Sequence, residues 1–239
     1  MIVYILGGFG TIAGLDICKK LVKLNCKLNN ITSDSDYIKF FLDSYPSDND
    51  HMTHDQCYKS LVDGIHRAHE YSKMFNNSKI LLGIGCNTMH SCLKTYKTNY
   101  TIPKNIIIVN MIETVSYSIS ILKDKKKYIY LLSTKYSYDS KIYNDELKKY
   151  KIQISQNTIN QNNLIEKIIL LIKCNKECKN LCKSLLLSYP DNCILILGCT
   201  ELPIIFIKLA EYLKSRNIQI IDCNFELAKK IINNYKFDN

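Results

Sequence analysis

No apolar run in the chain reaches the roughly 18–20 residues that a membrane-spanning helix needs, so no membrane partner is expected. The apolar start, MIVYILGGFG, has no basic segment before it and meets glycine too early for a signal peptide. A cytoplasmic location is the expectation. Arginine is nearly absent: Arg67 and Arg216 stand among 32 basic residues, although the formal net charge is +10. Nucleic-acid surfaces draw on arginine for bidentate contacts to bases and phosphates. Here lysines are spread over the whole length. The longest basic run, KDKKKY (123–128), falls between a helix pattern and a strand pattern. A solvated loop suits it better than a nucleic-acid patch, so no nucleic-acid partner is expected.

Other absences narrow the chemistry. There is no Cys-x-x-Cys pair and no His-Glu-x-x-His, which removes the common zinc signatures, and no metal is expected. His66 and His69, in GIHRAHE, read as surface or dimer-facing residues of a helix. The eleven cysteines are an odd count, several within apolar patterns, which favours reduced thiols over a disulfide framework. Cys174, Cys178 and Cys182 recur every fourth residue, as packing positions along one helix would. No low-complexity linker divides the 239 residues, of which 46% are hydrophobic. That length suits one compact body or two subdomains.

What is present is an alternation of short apolar runs with helical patterns. Strand candidates are IVYIL (2–6), ILLGI (80–84), IIIV (106–109), YIYLL (128–132), ILIL (194–197) and IQII (218–221), with weaker ones near 28–32 and 151–155. Leu61, Val62, Ile65 and Ala68, and again Leu164, Ile165, Ile168 and Ile169, recur at helical spacing. Wholly apolar strands separated by helices predict parallel sheets covered on both faces, an α/β doubly wound architecture. Ligands in such folds bind at the carboxyl ends of the strands. The turns there are GGFGT (7–11), GCNT (85–88), STKYS (133–137) and GCTE (198–201), and the long polar loop DSYPSDNDHMTHD (43–55) reads as a lid.

The glycine turn does not make a dinucleotide site. Gly8, Gly10 and Ala13 fit the Rossmann pattern only loosely, and the acidic residue about 20 positions on is not placed. The paired cysteines carry more. Cys86 and Cys199 each follow an apolar strand and a glycine, each precedes a threonine and a helix pattern, and they lie about half a chain apart. A helix N-terminus offers unpaired N–H groups that lower a thiol's pKa. Two thiols facing one carbon from opposite sides can exchange a proton between its two faces, as racemisation requires.

These residues bring the chain to a family. GGFGT, GCNTMH, NMIETV, STKYSYDSKIY and LGCTELP together resemble the aspartate/glutamate racemase family, almost end to end. The resemblance implies two pseudo-symmetric doubly wound subdomains, 1–109 plus 222–239 and 110–221, with the active-site cleft between them. It implies Cys86 and Cys199 as the acid/base pair and no cofactor. Asn87, Thr88 and Thr200 would hold the substrate's amino and carboxylate groups. Gly8 and Phe9 would line the pocket, with Thr134 at the end of a second-domain strand, and Lys173 would pair with a substrate carboxylate. The implied partner is a small amino acid, and the implied assembly is a homodimer. The chain departs from the family where a loop arginine grips the substrate: NDHMT stands there, with His51 and Met52 near the expected positions. A catalytically degenerate acid-binding relative, a hydantoin racemase and a maleate isomerase stay open as alternatives.

Overall fold

The computed structural model describes residues 1–7, 10–29, 31–46, 53–122 and 128–236. Two compact units divide the chain, Met1–Met111 with Asn224–Asn239 and Ile112–Cys223.

The first unit carries a four-stranded parallel sheet in the order β2-β1-β3-β4. Its strands are β1 (Ile2–Leu6), β2 (Phe40–Asp43), β3 (Ile80–Ile84) and β4 (Ile106–Val109). β1 and β3 are central and buried at every residue, which is why they read as unbroken apolar runs. Helix α1 (Thr11–Leu28) follows β1, α2 (His54–Met74) follows β2, and α3 (Asn87–His90) and α4 (Leu93–Asn99) follow β3. Thr53 caps α2 through a reciprocal pair with Gln56, and the helix buries Cys57, Leu61, Ile65 and Ala68. Those side chains join Tyr4, Leu6, Leu82 and Ile84 in one core.

β2 lies where the sequence reading named no strand, with Asp43 alone inside its polar loop, and among the described residues no strand forms near 28–32: α1 runs to Leu28 and a short turn at Asp34–Asp36 follows. β2 is an edge strand of four residues with Phe40 and Phe41 over a third exposed, so it lacks the buried apolar run of its neighbours. It is held instead by side chains. The Tyr4 hydroxyl donates to Asp43 at 2.9 Å, Arg67 of α2 donates to the same carboxylate oxygen at 2.9 Å, and Phe41 stacks on Tyr71.

Helix α5 (Met111–Ser120) leads into the second unit, whose parallel sheet has the order β5-β6-β7. The strands are β5 (Ile129–Leu132), β6 (Ile194–Leu197) and β7 (Gln219–Asp222). Between β5 and β6 run α6 (Lys135–Asp139), α7 (Ile142–Lys148), α8 (Ile159–Lys173) and α9 (Lys179–Leu187); α10 (Leu202–Phe206) and α11 (Ala210–Ser215) follow β6. The candidate near 151–155 contributes a single bridge, Ser155 to Tyr130. Cys174, Cys178 and Cys182 do not share one helix. Cys174 ends α8 and is exposed, whereas Cys178 precedes α9 and is buried with Cys182.

The last helix, α12 (Cys223–Lys236), packs in the first unit. A Cβ on Gly83 of β3 would meet Ile231 at 2.8 Å, and Asn224 donates to Asp16 of α1 at 2.8 Å. No helix among the described residues is long and apolar enough to cross a membrane.

Candidate active site

Cys86 and Cys199 each stand two residues beyond a fully buried central strand of their own unit, β3 and β6. The glycine before each is demanded by packing rather than by left-handed backbone, since no glycine among the described residues has positive φ. Gly85 lies against the neighbouring turn: its N–H donates to the Leu6 carbonyl at 2.8 Å, and a Cβ would sit 3.2 Å from that oxygen. A Cβ on Gly198 would meet Leu131 at 2.4 Å and Tyr143 at 3.3 Å. These glycines let an adjacent strand and its turn close in.

In the first unit Cys86 is half-buried and caps α3, a single turn. Asn87 (buried) and Thr88 (half-buried) open that turn. One turn aligns too few peptide dipoles to act as a macrodipole, so any help to the thiol comes from local N–H groups. The turn is fastened by His90, whose Nδ1 lies 2.8 Å from the Cys86 carbonyl and whose Nε2 accepts from the Met111 N–H at 3.0 Å. Burial holds this imidazole down to about 4, with the Cys86 bond opposing the fall. Cys86 also packs beside the buried Cys57 and Cys92. A hydrogen bond from Cys57 lowers the Cys92 thiol, and burial opposes it. The Gly7 end of β1 adjoins this turn; Gly8 and Phe9, with His51 and Met52 of the loop, lie outside the described residues, as does the basic run at 123–127.

In the second unit Cys199 is buried and does not cap a helix. It opens a turn whose Leu202 N–H donates to the Cys199 carbonyl at 3.1 Å, and Glu201 stands at the start of α10. The Cys199 thiol donates to Glu201 Oε2 at 2.9 Å, and the Thr200 hydroxyl donates to the same oxygen at 3.3 Å. Glu201 is itself only 4% exposed. Burial pushes the Cys199 thiol well up, and the Glu201 carboxylate pushes it further by charge and hydrogen bond. The Glu201 N–H, bonded to the sulfur, and Lys173, exposed at the end of α8, pull the other way. The expectation of a thiol acidified by a helix N-terminus is thus reversed at Cys199. A buried carboxylate next to a sulfur favours S–H over S⁻.

Thr134 follows β5, the strand paired with β6 in the register Leu132 with Leu197. Its hydroxyl accepts from the Ser137 N–H at 3.3 Å and caps α6. The second unit therefore gathers Cys199, Thr200 and Thr134 at the carboxyl ends of adjacent strands. Glu201 and His90 had no assigned role in the sequence reading, although both lie within quoted motifs. Their signal was a polar residue fixed two or four positions after each cysteine.

No protein-family model and no curated protein matches the chain. Solved structures do. An aspartate racemase of Picrophilus torridus is 24% identical, covering 98% of this chain and 94% of its own, with a TM-score of 0.71. An aspartate racemase homologue of Pyrococcus horikoshii OT3 is 17% identical over 98% of both chains, with a TM-score of 0.68. A glutamate racemase of Campylobacter jejuni is 17% identical over 98% of this chain and 86% of its own, with a TM-score of 0.62. Along nearly its whole length, the chain has the fold of these aspartate and glutamate racemases.

Proposed function

We propose that the chain is a cofactor-independent racemase of an acidic amino acid, aspartate or glutamate, in which Cys86 and Cys199 transfer protons on opposite faces of Cα. The observation that carries this reading is the buried hydrogen bond from Cys199 to Glu201. A thiol that is both buried and held protonated is poised as an acid, and its strand–Gly–Cys sequence repeats that of Cys86.

In one direction Cys86, as thiolate, takes the α-proton, and the Cys199 thiol gives its own proton to the opposite face. The thiolate left at Cys199 then faces a carboxylate. In the reverse direction the same steps run backwards: the Cys199 thiolate takes the α-proton, and the Cys86 thiol gives its own proton to the opposite face. Between turnovers Glu201 takes up and returns the Cys199 proton, so the two groups share a proton that a lone buried thiol would release far less readily. The carbanion needs hydrogen-bond donors at the α-carboxylate, a role for Asn87 and Thr88 and for the N–H groups of the two turns, that of Thr200 among them, since its hydroxyl donates to Glu201. Lys173 is assigned to the side-chain carboxylate of the substrate, and Thr134, Gly8 and Phe9 to the pocket wall.

Incubation of the protein with single enantiomers of aspartate and glutamate in D2O, followed by proton NMR and chiral chromatography, tests the reading. Loss of the α-proton signal together with appearance of the other enantiomer is expected. An unchanged α-proton in both amino acids under conditions where the protein is folded overturns it.

A further inference from the structure

His90 lies between two turns and touches both. It is 6% exposed, sits at the end of α3, and reaches back four residues to the Cys86 carbonyl, 2.8 Å from Nδ1. Its other nitrogen meets the N–H of Met111, at 3.0 Å. Met111 is fully buried and is the first residue of α5, where backbone N–H groups have no partner within the helix.

These two contacts leave one protonation state. A backbone N–H can only donate, so Nε2 must carry the lone pair. The proton is then on Nδ1, where it donates to the Cys86 carbonyl. An imidazolium would set an N–H against the Met111 N–H. The neutral ring in one tautomer satisfies both neighbours, and burial keeps it neutral through the physiological range. A ring fixed in this way is not a proton carrier. Its use is mechanical.

Such a strut has work to do here. The turn bearing Cys86 has only four helical residues, too few to be stable through its own hydrogen bonds. The Cys86 backbone is extended, at φ −150° and ψ 117°, and joins the strand to that turn. The ring closes the turn on itself and ties it to the start of α5, beyond the neighbouring strand β4. We propose that His90 is a positioning residue for Cys86: the Met111 N–H selects the Nδ1-protonated imidazole, which holds the Cys86 carbonyl and so aims the thiol. The kinetic consequence rests on the racemase reading, while the structural one does not.

Two substitutions separate the halves of the strut. In His90→Asn the side-chain amide nitrogen stands near the place of Nδ1, so the donor to Cys86 is kept and the acceptor for Met111 is lost. In His90→Gln an amide oxygen stands near the place of Nε2, so the Met111 contact is kept and the donor to Cys86 is lost. With circular dichroism confirming the fold, His90→Gln should lower kcat for α-proton exchange by on the order of 10–100-fold, with KM little changed. His90→Asn should stay within about 5-fold of wild type on the same scale. The rate of Cys86 alkylation against pH, followed by peptide mass spectrometry, should change in the Gln variant and not in the Asn variant. That second readout stands even if the wild type exchanges no α-proton, an outcome that sinks the racemase reading alone. Equal behaviour of the two variants in alkylation overturns the positioning role. Nitrogen-15 NMR of the wild-type imidazole provides a check that needs no variant: the ring proton should be on Nδ1 from pH 8 to pH 5, and a proton found on Nε2 overturns the proposal.

Discussion

The Cys199 thiol donates to the Glu201 carboxylate across 2.9 Å, and both groups are buried. Replacing Glu201 by Gln keeps the size and an acceptor for the S–H, but removes the charge and the capacity to take the proton. Racemisation should fall by about 10²–10⁴-fold, the usual contribution of a positioned acid or base. The Cys199 alkylation profile should move to lower pH, because a group that raises the thiol pKa has gone while the burial that raises it most persists. A Gln variant with wild-type turnover, or a profile moved to higher pH, contradicts a shared proton.

Each direction of the proposed reaction uses both thiols, so Cys86→Ala and Cys199→Ala should each abolish racemisation in both directions. Exchange without inversion should survive selectively. The variant retaining Cys199 should wash deuterium into one enantiomer, and the variant retaining Cys86 into the other. Racemisation by either variant at the wild-type rate would show that one thiol suffices.

The two glycines test the local packing independently of chemistry. Gly198→Ala would place a methyl 2.4 Å from Leu131 Cδ1, and Gly85→Ala would place one 3.2 Å from the Leu6 carbonyl oxygen. Each should destabilise its unit by about 1–3 kcal/mol in urea unfolding, the typical effect of overpacking. A loss below about 0.5 kcal/mol, the scatter of surface changes, would mean that the turns have room to spare.

Stability should also fall with acid through His90. Its folded-state value lies near 4 against 6.5 when exposed, so between those limits the unfolded chain binds a proton that the folded chain refuses. The loss begins as pH drops through 6.5 and is complete near 4, amounting to about 3 kcal/mol in all and about 2 kcal/mol by pH 5. Urea titrations at pH 7 and pH 5 should show this difference in wild type and not in His90→Gln. If NMR finds His90 titrating near 6.5 in the folded protein, the buried neutral strut is wrong.

Much of this protein is written locally. β1, β3 and β6 are short apolar runs because both faces of a parallel sheet are covered there, so burial dictates their composition. β4 is as apolar in sequence although Ile107 is exposed, and β7 is only partly buried. The doubled strand–Gly–Cys turn is equally visible, since it is contiguous in the chain. β2 is not: Phe40 and Phe41 are half solvent-facing, and the strand depends on Tyr4, Arg67 and Tyr71, which come from distant segments. The reach of His90 to Met111 has the same origin. Only the parallel pairing of β3 with β4 brings together turns that are 21 residues apart in the chain. Cys199 shows the limit most sharply. Its sequence neighbours suggest a helix start and an acidified thiol. That the Glu201 carboxylate outweighs the Glu201 N–H at the sulfur is decided by how the turn folds before α10, and by burial that strips away the water which would otherwise screen that charge.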